Sequence, residues 1–218
     1  MDKELFWRAI AALELAAAAI VILLDLFVPT LVILCLIAVS LLVRREGLSS
    51  IGFKDGKPVF SEAGTIFLLV IGWSLFVLAF TMPVLNHLTG TTQNLSDFAD
   101  LKGNFGKLAF LLFASWTLAA FGEEMVYRGF LQKRVIDIFG RGLLGIILAV
   151  GISSILFGLA HTEQGVIGVV LTFLDAVFVS LIKLKYDNNL WASVLAHGFN
   201  NTVGLVTFFL VGPIYGFW

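Results

Sequence analysis

LAFLLFASWTLAAFGEEMVYRGFLQ, residues 108–132, is long and apolar enough to cross a bilayer, yet it carries two adjacent glutamates and an arginine past its middle. A bilayer-crossing helix needs roughly 20 mainly apolar residues. Within hydrocarbon only helices and closed barrels satisfy the backbone, and a run this long and continuous reads as a helix. An ionisable residue at the centre of such a helix costs about 2.5–3.5 kcal/mol on insertion scales, so Glu123, Glu124 and Arg128 ask for a reason.

The surroundings of that stretch make the bilayer the relevant solvent. Of 218 residues, 59% are hydrophobic and 13% charged, with 21 Phe and 21 Gly, and mean hydropathy is +1.00. Soluble domains are about one quarter charged, and could not hide so much apolar surface. Apolar runs place spans at about 6–24, 27–43, 63–85, 108–132, 143–160, 165–182 and 190–211, an all-α polytopic bundle of about seven spans forming a single integral membrane domain over 1–218. The tight connection from Asp25 to Pro29 pairs the first two spans as a hairpin. The first run follows Met1-Asp2-Lys3-Glu4, which is no cationic signal-peptide start, so it reads as a retained span. The net charge of −1 offers nothing to nucleic acid, and the single cysteine, Cys35, permits no internal disulfide.

Placement of the cations predicts orientation. Seven spans put Lys3, Arg8, Arg44, Arg45, Lys54, Lys57, Lys133, Arg134, Arg141, Lys183 and Lys185 on one face and only Lys102 and Lys107 on the other, with Arg128 inside a span. Short loops rich in Lys and Arg stay cytoplasmic, which predicts a cytoplasmic N-terminus. The longest loops, about 44–62 and 86–107, read as a surface connection and as a polar segment able to cap the bundle.

Polar residues within spans usually face the bundle interior and mark function. Besides the trio above they are Glu14, Asp175 and His197, with His161 at a span end and Glu163 in the loop after it. Three spans carry pairs at a four-residue spacing, which shares one helix face: Glu124 with Arg128, Phe157 with His161, and His197 with Asn201. Glu124 is the natural ion-pair partner of Arg128. Glu123 points about 100° away on an α-helix and needs a partner on another helix, His161 or His197. A buried carboxylate is a competent base near neutral pH. Taken singly, the acidic pair could be an inter-helix pairing device, the histidines ordinary interfacial residues, Phe157 packing, and Gly122, Gly129, Gly158 and Gly198 close-approach positions. Glu14, Glu163 and Asp175 have no assigned role.

Together EExxxR at 123–128, FxxxH at 157–161 and HxxxN at 197–201 resemble the CPBP intramembrane proteases, the Abi group that includes the type II CAAX prenyl endopeptidases. The resemblance covers about residues 108–211, which it marks as a catalytic core. It implies an intramembrane endopeptidase in which Glu123 and His161 activate a water, His197 and Asn201 stabilise the oxyanion, and Glu124, Arg128 and Phe157 support the site. Whether Glu124 takes part directly is left open. Glu123, His161 and His197 also have the composition of a divalent metal site such as zinc, although no HExxH pair is present and three separate spans would have to supply the ligands. A metal-free glutamate-activated water uses the same residues. The implied partners are the bilayer and a peptide or protein substrate, including a membrane-anchored or prenylated one.

Two other classes compete. A proton-coupled carrier would use the same buried groups, but predicts inverted repeats and paired broken helices that this sequence lacks. A non-catalytic scaffold or immunity protein predicts loss of a catalytic position, and none is lost. One tension belongs to the protease reading: the span limits set Glu123 beyond mid-membrane and His161 near the opposite face. Either the fourth span is long and tilted or the fifth ends inside the protein.

Overall fold

A computed structural model describes residues 2–214, so Met1 and residues 215–218 of the expected single domain lie outside the described part. Among the described residues every regular element is helical. Helix α1 spans Lys3–Leu23, α2 Pro29–Arg44, the short α3 Lys57–Ser61, α4 Ala63–Thr89, α5 Phe105–Phe139, α6 Leu143–Leu159, α7 Gly165–Lys185 and α8 Leu190–Val211.

Local chemistry explains the helix limits. The side chains of Asp2, Asn104 and Asn189 accept amide hydrogen bonds at the starts of α1, α5 and α8, supplying groups that the first helical turn lacks. Pro29 opens α2, where its missing N–H costs nothing. Between α1 and α2 the chain turns through Asp25 and Phe27, both in the left-handed region, which closes the expected hairpin.

Among the described residues five helices are long and apolar enough to span a membrane: α1, α4, α5, α7 with its preceding turn, and α8. The other two expected spans, α2 and α6, are shorter apolar helices of 16 and 17 residues. At 1.5 Å per residue these reach about 24–26 Å, short of the roughly 30 Å hydrocarbon core. The largest departure is in α5, expected over 108–132 and observed as one 35-residue helix.

That extension corrects the accounting of charges. Arg134 was expected in a loop but is fully buried within α5, its Nε 2.6 Å from Glu14 Oε2 and its Nη1 2.9 Å from Asp137. Glu14 also accepts from Ser40 at 2.6 Å and Arg44 at 2.8 Å. This acidic residue therefore ties α1, α2 and the C-terminal part of α5 together. Lys183, also expected in a loop, is buried in α7.

Both long loops are clipped to the bundle. At one end, Leu190 N–H donates to Gly52 O at 2.8 Å and Asn189 Nδ2 to Asp55 O at 2.8 Å, joining the first loop to the α7–α8 turn. At the other, Asn94 N–H donates to Gln164 O at 2.9 Å, its Nδ2 to Glu163 O at 2.9 Å, and Gly103 N–H to Phe209 O at 2.9 Å. The 86–104 segment thus covers the turn after α6 and buries Leu101 against α8. The Lys107 ammonium beside Asp100 holds that carboxyl below the usual carboxylate range.

Candidate active site

The acidic pair sits where α5 ceases to be an ordinary α-helix. Ser115–Glu123 and Met125–Leu131 are π-helical, so successive turns bond five residues apart and Glu124 lies between two widened stretches. Glu124 is fully buried. Its Oε1 lies 2.9 Å from Arg128 Nη1 and 2.8 Å from His197 Nδ1. The first is a charge contact without hydrogen-bond alignment, since Arg128 Nη1 and Nε and Glu124 Oε2 are all buried with no hydrogen-bond partner. Arg128 gains further support from the Phe157 ring, whose centroid is 4.6 Å from the guanidinium carbon.

Phe157 is the hub of the site. Its ring lies 4.8 Å from the His161 ring, 5.9 Å from His197 and 4.9 Å from Tyr127. His161 Nδ1 donates to the Phe157 carbonyl at 2.8 Å; because a carbonyl only accepts, that bond places a proton on Nδ1 and leaves Nε2 as the open nitrogen. His197 donates from Nδ1 to Glu124 in the same way, which also leaves its Nε2 open. Both imidazoles are thus held by one nitrogen and offer the other.

Two helix limits bear on the tension over membrane depth. Helix α5 is long, and α6 ends at Leu159, so that His161 enters a turn covered by residues 93–94. Glu163 is exposed there, with only its backbone carbonyl and one hydrogen bond to Gln164 engaged.

Two motif residues stand differently from expectation. Glu123 and Asn201 are half-buried and make no hydrogen bond or ion pair among the described residues. Glu123 was expected to find its partner on another helix; Glu124 has that contact instead, with His197. The neighbouring Asn200, rather than Asn201, is engaged, through long 3.4 Å contacts to Asp175 Oδ2 and Ser74 Oγ. Asp175 accepts from Trp73 Nε1 at 2.6 Å, so this acidic residue joins α4, α7 and α8 beside the site.

The candidate metal set does not converge. Among the described residues no three of His, Cys, Asp or Glu are grouped to hold an ion, so Glu123, His161 and His197 do not fit a three-ligand zinc site.

Close packing sets the position of α8. A Cβ at Gly198 would fall 2.5 Å from the Trp116 ring, and one at Gly158 would fall 2.8 Å from the Val169 carbonyl, so the residues next to His197 and Phe157 must be glycine for the helices to approach. Trp116 donates to Thr202 Oγ1 at 3.1 Å, which holds the indole over Gly198. Beside it an apolar cavity of about 430 Å³ is lined by Phe60, Trp116, Thr117, Phe121, Trp191, Val194 and Leu195.

Several supporting residues were missed by motif reading. Gln132 and Ser153 are buried behind the site and hydrogen-bond one another at 3.2 Å. A signal existed: each continues a motif by four residues on the same chain, Gln132 after Arg128 and Ser153 before Phe157.

Residues 105–203, just under half the chain, match the family model described as Type II CAAX prenyl endopeptidase Rce1-like. No curated protein and no solved structure matches the chain.

Proposed function

We propose that the chain, whose residues 105–203 match the CAAX endopeptidase family model, is an intramembrane endopeptidase of that family whose reaction centre lies around Phe157. The observation that carries this reading is the pair of half-anchored histidines, each fixed through Nδ1 and open at Nε2. In the reaction, Glu123 takes a proton from a water that His161 Nε2 orients. The water oxygen forms a bond to the scissile carbonyl carbon, and the carbonyl oxygen becomes an oxyanion. Asn201 and His197 Nε2 donate to that oxyanion. Glu123 then returns its proton to the amide nitrogen as the C–N bond breaks, giving a carboxylic acid and an amine, and the acid's proton passes to the amine to leave a carboxylate and an ammonium.

For His197 to donate from Nε2 while Nδ1 donates to Glu124, the ring carries both protons. This gives Glu124 a part in the chemistry through His197, in addition to its pairing with Arg128. A second reading rests on the same 2.8 Å contact: a neutral His197, oriented by Glu124, serves as the base itself.

The substrate we propose is a membrane-anchored peptide, its apolar groups, a prenyl chain among them, entering the cavity beside Trp116 and Trp191. Seven crossings with a cytoplasmic N-terminus follow from the charge distribution. Setting aside the buried Arg134 and Lys183, and Arg44, which is paired with Glu14, eight cations remain on the expected cytoplasmic face against two on the other.

The test is cleavage of prenylated and unprenylated peptides by purified protein in liposomes. Glu123→Gln and His161→Ala each lower kcat by about 10²-fold or more, while both variants keep their helical content. Activity that survives both substitutions transfers the base role to Glu124 and His197. Activity unchanged by exhaustive chelation supports the metal-free course, and activity lost on chelation and restored by zinc overturns it.

A further inference from the structure

Lys183 stands near the end of α7, where a long cationic side chain ordinarily snorkels to water. Here it is 6% exposed. Its ammonium lies 2.5 Å from the backbone carbonyl of Arg128 and 3.1 Å from Oε1 of Gln132. Gln132 in turn donates to Ser153 at 3.2 Å and Ser180 at 3.0 Å. An ammonium taken out of water costs several kcal/mol unless its acceptors are well placed, so the choice of acceptor is informative.

That acceptor is a carbonyl the helix has released. In an α-helix the amide of Gln132 would close on the carbonyl four residues earlier, that of Arg128. Here the Gln132 amide bonds to Tyr127 and Gly129 and passes over Arg128, as the five-residue bonding of a π turn requires. Lys183 takes the carbonyl passed over. If Gln132 reclaimed it, the turn would tighten, and Glu124 and Glu123, both N-terminal to it, would rotate relative to α6 and α8.

We infer that Lys183 is a positioning residue for the reaction: by occupying the Arg128 carbonyl it holds the π-helical turn of α5 open and so sets where Arg128, Glu124 and His197 stand. The inference rests on the protease reading of the site. Lys183 touches neither histidine, and it acts through the α5 backbone.

The experiment measures kcat and KM separately for the full-length protein in liposomes with a prenylated reporter peptide. Lys183→Met keeps much of the side-chain length and bulk but removes the donor, and Lys183→Arg restores one. Expected are a kcat lowered by about 10²-fold in Lys183→Met, since a small misplacement far from the chemistry is worth that much, a KM within about twofold, and recovery of most of the rate in Lys183→Arg. A folded Lys183→Met with wild-type kcat overturns the inference. So does a loss that only matches a smaller folded fraction, with no recovery in Lys183→Arg. If Lys183→Met does not fold, the criterion passes to Lys183→Arg, which keeps a donor: a folded Lys183→Arg whose kcat falls about 10²-fold overturns the inference. A wild-type protein that cleaves no peptide overturns the protease reading instead, which keeps the two failures distinct.

Discussion

Glu123 and Glu124 are neighbours in sequence with different physical situations. Glu124 is a fully buried carboxylate shared between Arg128 and His197, and removing one partner of a buried pair leaves an uncompensated charge. Glu124→Ala should therefore lower stability by about 3–5 kcal/mol, read by thermal or denaturant unfolding in detergent. Glu123 has no partner to lose, so Glu123→Gln should change stability by about 0.5 kcal/mol or less while abolishing most of the rate. An equal stability loss in both variants would contradict this division. The Glu124–Arg128 pairing was legible in the sequence because a four-residue spacing brings two side chains to one helix face. The contact of Glu124 with His197 was not, because it joins residues on different helices and depends on how α5 and α8 are turned toward each other.

The same limit applies to whole helices. Apolar runs located all seven main helices, since burial in lipid leaves an unmistakable composition. They did not reveal the π-helical stretches of α5, because a helix that is apolar on nearly every side, whether it meets protein or lipid, carries no periodicity to distinguish a four-residue from a five-residue turn. Nor did they show that α5 continues to Phe139, where Arg134 and Asp137 look like loop residues until Glu14 and Lys133 are seen beside them. The packing of α8 against α5 gives a prediction at this scale. Gly198→Ala places a Cβ against the Trp116 indole, which is held by its hydrogen bond to Thr202. Overpacking of this kind costs about 1–3 kcal/mol, and because His197 is the adjacent residue, kcat should fall together with the unfolding temperature. Truncation of the ring in a Trp116→Phe, Gly198→Ala double variant should recover part of both.

At the scale of the molecule, the N-terminal hairpin is fastened to the reaction helix by the Glu14, Arg44 and Arg134 cluster. Arg134→Met leaves Asp137 with Lys133 and Glu14 with Arg44, so the loss should be about 3 kcal/mol, the low end for a broken buried pair, and smaller still in a Glu14→Gln, Arg134→Met double variant. Additive losses would show the cluster to be uncoupled. Orientation is tested in a Cys35→Ser background with single cysteines at the exposed Lys57 and Lys102: a membrane-impermeant maleimide should label them from opposite sides, Lys57→Cys from the cytoplasmic one. Composition and charge placement by themselves determined that this chain is an all-helical membrane protein and drew attention to seven motif residues, because lipid permits few backbone solutions and makes every buried charge conspicuous. Only the tertiary structure decided which of the two glutamates in GEEMVYRG faces a histidine, and that Lys183 lies buried behind them, because those outcomes depend on helix rotation and on a released backbone carbonyl, neither of which a one-dimensional pattern records.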